Sequence, residues 1–113
     1  MGRKSKEKGK RGEGEAAKEL ARLFSCEARR GRQYSGGEDS PDVTHSIPGV
    51  HVEVKRTEAL RLYPALEQAV GDADDAVPVV LHRRNNKPWL AIVRLDDLPR
   101  LATQLYLVMA EHA

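Results

Sequence analysis

Cysteine is all but missing from this 113-residue chain. The single Cys26 can form neither an internal disulfide nor a cysteine-based zinc cluster, since both need partners the chain does not supply. Aromatic residues make up only 4% of the sequence, which argues against base stacking as the main way of holding a nucleic-acid single strand. No apolar run approaches the roughly 18 residues of a membrane helix. The Lys/Arg-rich start is not followed by the apolar stretch of a secretory signal either. The histidines at 45, 51, 82 and 112 show none of the close spacing of zinc-ligating pairs. The expectation is a protein of the cytoplasm (a host's cytoplasm if the chain is viral), with no membrane partner and no small-molecule cofactor, stabilised by core packing or oligomerisation.

Charged residues, by contrast, account for 32% of the chain, and the net charge of +2 hides an asymmetry. Residues 1–32 carry a balance of +6 and residues 33–113 a balance of −4. A basic end joined to an acidic body suits a protein that neutralises a phosphate backbone with one part and keeps carboxylates for another task, such as holding a divalent metal. The length and the apolar content of 40% allow one small domain.

Residues 1–11 combine six basic residues with no apolar periodicity, which predicts a basic flexible arm ahead of a single domain over 12–113. Ala17, Leu20, Ala21 and Phe24 recur at three- and four-residue steps and predict a helix from Gly12. Extending that stripe back one turn puts Glu13 on the inward face, whereas Glu15 aligns with Glu19 and Arg22 on the wet side. Residues 26–34 read as a strand with basic edges and 35–41 as a loop. Segments 42–47 and 50–55 read as two strands joined by the turn former Pro48-Gly49, hence a hairpin. In the second, Val50, Val52 and Val54 alternate with His51, Glu53 and Lys55, so the three ionisable groups share a face.

A helix bearing Leu62, Leu66, Ala69, Val70 and Ala73 follows, with Pro64 in its first turn. Then come a buried strand over 77–82, a wet turn over 83–88, a fifth strand over 89–93, and a last helix opening near Asp96 or Asp97. The apolar end of that helix, residues 105–110, points either to a second subunit or to the chain's own core. The order α-β-β-β-α-β-β-α implies one layered α/β domain with a mixed sheet flanked by helices.

Two acids and a lysine carry the chemistry. A hairpin through Pro48-Gly49 brings Asp42 near Glu53 and Lys55, while Val54 anchors the other face and leaves its carbonyl along the sheet. Two carboxylates and a carbonyl are hard oxygen donors suited to Mg2+, with Mn2+ able to substitute. The lysine beside them can orient an attacking water, and the metal lowers that water's pKa and neutralises charge on a phosphoryl oxygen. Singly, an Asp after Pro ordinarily serves a turn and an E-x-K ordinarily makes an exposed ion pair. Together with an inward glutamate and a basic arm they suit metal-assisted phosphodiester hydrolysis.

Pro41-Asp42 followed by Glu53-Val54-Lys55 resembles the PD-(D/E)xK nuclease signature. The segment 8–13, Ser35-Gly36 and Glu67-Gln68-Ala69 are similar to the corresponding parts of archaeal-type and phage Holliday junction resolvases, a likeness running from about residue 8 to 98. The resemblance implies a restriction-endonuclease-like core with a mixed five-stranded sheet. It implies Glu13, Asp42 and Glu53 as metal-site acids with the Val54 carbonyl, Lys55 as the catalytic lysine, and Ser35 and Gln68 as further site residues. It also implies a homodimer that makes paired cuts across a four-way DNA junction. Where such proteins often carry a basic loop, this chain has Gly36 to Ser40, an acidic segment whose Glu38 and Asp39 read as solvated turn acids. Glu15 stays a rival to Glu13.

Phosphate contacts are expected from Arg3, Lys4, Lys6, Lys8, Lys10 and Arg11, and on the body from Arg29, Arg30, Arg32 and Arg56; such contacts position a backbone without reading bases. Alternatives are a nuclease of the same fold acting on flaps, nicks or ends, and a non-catalytic DNA-binding module.

Overall fold

In the computed structural model, which describes residues 3–31 and 42–111 and the side chains of 8–31 and 42–111, the elements follow the expected order. They are α1 (Arg3–Phe24), β1 (Ala28–Arg30), β2 (Val43–His45), β3 (Val50–Arg56), α2 (Leu62–Ala73), β4 (Val77–Arg83), β5 (Leu90–Ile92) and α3 (Leu98–Glu111), the last preceded by a 3-10 turn, Leu95–Asp97. No helix among the described residues is long and apolar enough to cross a membrane.

The first correction concerns where α1 begins. Its backbone is helical from Arg3, not from Gly12, because Lys, Arg and Glu are good helix formers that need no apolar partner to continue a helix nucleated downstream. Gly12 lies inside that helix for a steric reason: a Cβ there would sit 2.5 Å from the Cβ of Arg56, so only glycine lets α1 approach β3 this closely.

The second correction concerns the sheet. In place of one five-stranded sheet there are two: β1 and β2 pair antiparallel, while β3, β4 and β5 form a second sheet in which β3 and β4 are parallel. Gly49 takes the positive φ that the turn needs, at +70°, but the expected 42–47/50–55 hairpin does not form a ladder. The main-chain groups of β2 go to β1 instead, through Ala28 opposite His45, Gly31 N–H to the Asp42 carbonyl at 2.8 Å and Ser46 N–H to the Glu27 carbonyl at 2.9 Å.

The unit β3-α2-β4 is a parallel crossover, and its two faces are covered differently. Register places Val52 beside Val79 and Val54 beside Leu81. These four face α1, where Ala16, Ala17 and Leu20 complete the main core with Leu101 and Val108 of α3. The opposite face carries Glu53 beside Val80 and His51 beside Pro78, and α2 lies over it. The inward stripe of α2 is Ala65, Ala69 and Ala73; Ala69 and Ala73 belong to the expected stripe, Leu66 and Val70 are half-buried beside it, and Leu62 is exposed. Small side chains let the helix axis come close to the valines of β4, and that closeness sets the position of every polar residue on the flank of α2.

Arg83 also departs from the wet turn expected of it. Arg83 Nη1 is 3.0 Å from Glu15 Oε2, and the same carboxylate oxygen lies 3.8 Å from Arg56 Nε. Arg56 further donates to Asn85 Oδ1 at 2.8 Å and to the Arg83 carbonyl at 3.2 Å, and its side chain is 11% exposed. This network ties α1 to the ends of β3 and β4.

Candidate functional site

The split between the two sheets is bridged by one side chain. Asp42 uses its main chain in the β1–β2 ladder, while its Oδ2 accepts the Val54 N–H of β3 at 2.8 Å. A carboxylate thus stands where a neighbouring strand would have offered a carbonyl. In a strand the N–H and C=O of one residue leave the same edge, so the Val54 carbonyl faces the Asp42 side as well. The proximity of Asp42 to the E-x-K segment, expected from a hairpin, is achieved by a side chain crossing between sheets.

Glu13 reaches this edge from α1. Burial raises its carboxyl pKa, the Asp42 charge raises it further, and Arg30 opposes the shift from 3.4 Å. Glu15 points elsewhere, into the Arg56–Arg83 network, so the two glutamates that sequence left as rivals are separated by geometry. Glu53 reaches the edge from the α2 side. It is 5% exposed, and burial pushes its pKa up with Asp42 and Asp72 adding to the rise, against the downward pull of the His51 hydrogen bond. Asp42 therefore lies within electrostatic reach of both glutamates.

Along the α2 side the spacing is set by simple geometry. Two strand residues advance about 6.6 Å and four helix residues about 6 Å, so a strand row at 55, 53 and 51 can match helix positions one turn apart. Lys55 Nζ accordingly donates to Gln68 Oε1 at 2.9 Å. One turn further on, Asp72 comes beside Glu53 and His51, and His51 Nε2 lies 3.0 Å from Glu53 Oε1. The hydrogen bond to Glu53 raises the His51 pKa. A cavity of about 270 Å³ opens beside Lys55 and Gln68, with Arg61 on its wall. A wider cleft of about 490 Å³, next to Trp89, holds none of these site residues.

Among the described residues, the only group of three or more His, Cys, Asp and Glu donors within 4.8 Å of one another is His51, Glu53 and Asp72. The set expected from sequence, Glu13, Asp42 and Glu53, is brought to one edge but is not drawn together as tightly. Asp72 and Arg61 are the residues sequence reading missed. Asp72 had a signal, since it lies four residues after Gln68 and so on the same helix face.

The expected phosphate contacts divide. Lys10 and Arg30 flank Glu13 closely enough to lower its pKa, and Arg11 and Arg29 are exposed nearby in sequence. Lys8 pairs with Glu58 at 3.5 Å. The Arg56 side chain is 11% exposed and engaged in the network described above, and it lines a cavity with Lys8 and Arg11. Ser35 and Arg32, and the side chains of Arg3, Lys4 and Lys6, lie outside the described residues. Cys26 is buried with its Sγ toward the Leu20 carbonyl, His45 accepts the Ile47 N–H, and His82 bonds the Thr57 carbonyl, so each has a structural part. No protein-family model, curated protein or solved structure matches this chain.

Proposed function

We propose that this chain is a Mg2+-dependent, structure-selective DNA endonuclease of the PD-(D/E)xK type that resolves four-way junctions by paired cleavage as a homodimer. What supports the reading is the Asp42 carboxylate on the Val54 N–H at 2.8 Å, close enough to Glu13 and to Glu53 to raise the pKa of each, with Lys55 beside Glu53 on the strand and held by Gln68. The residues fit a hard divalent cation. Three carboxylates and a backbone carbonyl are its preferred donors, and burial together with mutual repulsion makes a cluster of this kind unfavourable without a compensating positive charge. A cation bound there polarises a phosphodiester oxygen and lowers the pKa of an attacking water.

The remaining parts belong to the chain itself. Asp42 fixes the edge by holding the Val54 N–H, and Glu13 and Glu53 supply charge from opposite faces. The Lys55 ammonium, anchored to the Gln68 amide oxygen, is placed on the Glu53 face to orient water or to neutralise charge on the phosphate. Lys10, Arg11, Arg29 and Arg30 lie on the α1–β1 side, where a phosphate backbone would be held without base readout. An exposed apolar stripe on α3, with Leu98, Tyr106 and Met109 spaced on one side of the helix, supports pairing with a second copy.

The test is cleavage of a synthetic four-way junction, labelled on each strand in turn, beside a linear duplex of the same sequence, with Mg2+ and with EDTA. Metal-dependent, symmetric nicks confined to the junction are expected. Cutting of both substrates would make the chain a general nuclease. Binding of DNA without cutting in Mg2+ or Mn2+ would make it a DNA-binding module.

A further inference from the structure

We propose a second cation position, on the α2 side of β3, in which His51 Nε2, a Glu53 carboxylate oxygen and an Asp72 carboxylate oxygen bind a late divalent transition metal such as Zn2+. It shares Glu53 with the Mg2+ position proposed above but does not depend on the reaction proposed there.

Three features lead to it. First, the donor atoms of these residues all lie within 4.8 Å of one another, whereas a metal about 2.1 Å from each ligand needs them roughly 3–4 Å apart; rotation about side-chain bonds covers that difference. Second, the set is chemically mixed. An imidazole nitrogen beside two carboxylates favours Zn2+ and its neighbours, whereas an all-oxygen set such as Glu13, Asp42, Glu53 and the Val54 carbonyl favours Mg2+. Third, burial is graded as a metal pocket needs. The His51 and Glu53 side chains are 12% and 7% exposed, while Asp72 is exposed at the mouth. A cavity of about 260 Å³ lined by residues of β2 and β3, with Ala73 at the end of α2 and Ala76 beyond it, reaches the His51 ligand.

The arrangement follows from the fold. His51 and Glu53 share a strand face and meet at 3.0 Å, and the third ligand arrives from α2 because one helical turn past Gln68 matches the strand row past Lys55. Glu53 then stands between two positions: Asp42 and Glu13 on one side, His51 and Asp72 on the other. With Nε2 on the metal, the imidazole proton resides on Nδ1.

The experiment is titration of the full, metal-free chain with Zn2+, and separately with Mg2+, for wild type, His51→Gln, Asp72→Asn and Asp42→Asn. Pulsed EPR of bound Cu2+, a paramagnetic neighbour of Zn2+ with the same taste for imidazole, is recorded for the same proteins. The expected result is Zn2+ binding weakened at least tenfold by His51→Gln and by Asp72→Asn but not by Asp42→Asn, with a nitrogen coupling to Cu2+ that His51→Gln removes. Asp72 is exposed, so its variant keeps the test valid if the His51 variant fails to fold. Zn2+ binding that ignores both His51 and Asp72, or a Cu2+ signal with no nitrogen coupling, would overturn the proposal. Equal loss of Zn2+ affinity in Asp42→Asn would also overturn it, by showing one shared oxygen site. Loss of Mg2+ affinity in no variant, with Zn2+ behaving as expected, would sink the Mg2+ position alone.

Discussion

Asp42 is asked to do two things, and they can be separated by substitution. Its carboxylate accepts the N–H of Val54, a residue only 9% exposed, across the gap between two sheets. A hydrogen bond to a charged acceptor contributes about 1.5–3 kcal/mol, and Asp42→Ala also leaves a buried donor without a partner. Relief of repulsion with Glu13 and Glu53 works in the opposite direction, so the lower half of that range is expected. For a domain of this size each kcal/mol moves the melting temperature by about 4–6 °C, which gives a fall of roughly 6–12 °C. Asp42→Asn keeps an amide oxygen for the Val54 N–H while removing the charge, so it should melt close to wild type. Thermal unfolding of the three proteins in EDTA measures both effects. If the alanine variant melted with wild type, or the asparagine variant fell as far as alanine, the bridging role would be refuted.

Further outcomes follow from the same geometry. Glu13, Glu53 and His51 all hold their protons more tightly in the folded chain than in the unfolded one. The stability they contribute is therefore present below the unfolded values, about 4.3 for Glu and 6.5 for His, and is lost as pH rises through the raised folded values. Burial lowers the His45 pKa and opposes this trend over the same window, so the check compares proteins: between about pH 5 and about pH 8 the metal-free melting temperature should drop less, or rise more, in Glu53→Gln than in wild type, and an equal or larger drop in the variant would contradict the assignment. Glu13→Gln should weaken Mg2+ binding in a calorimetric titration, whereas Glu15→Gln should leave it unchanged and lower stability by about 1 kcal/mol through the lost Arg83 and Arg56 contacts. Gly12→Ala forces its new methyl against Arg56 and should cost about 1–3 kcal/mol in urea unfolding, with no effect on metal affinity; a neutral result would show that α1 shifts freely. Lys55→Ala should suppress junction cleavage while leaving Mg2+ affinity intact, which single-turnover kinetics beside a titration would establish.

What the sequence made legible was mostly local. The alternation of Val52 and Val54 with Glu53 and Lys55 needs only the period of a strand, and the inward turn of Glu13 needs only the period of a helix. The pairing of β2 escaped because a proline-glycine turn reports a chain reversal, not which partner the strand finds afterwards; β1 lies on the far side of the 32–41 segment. On α2 the expected stripe holds at Ala69 and Ala73, which are buried, but Leu62 is exposed and Ala65 takes an inward place, because pattern reading weights hydrophobicity where close packing rewards a small side chain. Arg83 and Glu15 meet across 68 positions of sequence, a separation no local pattern spans. Asp72 lay closer to reach, since its place follows from Gln68 by a single helical turn.

The most direct test of the central claim is Mg2+-dependent cleavage of a labelled four-way junction by wild type and by Glu53→Gln at equal concentration of folded protein. Paired nicks are expected from wild type, none in EDTA, and loss of cutting with retained junction binding in the variant. Cleavage by Glu53→Gln at the wild-type rate would contradict the claim.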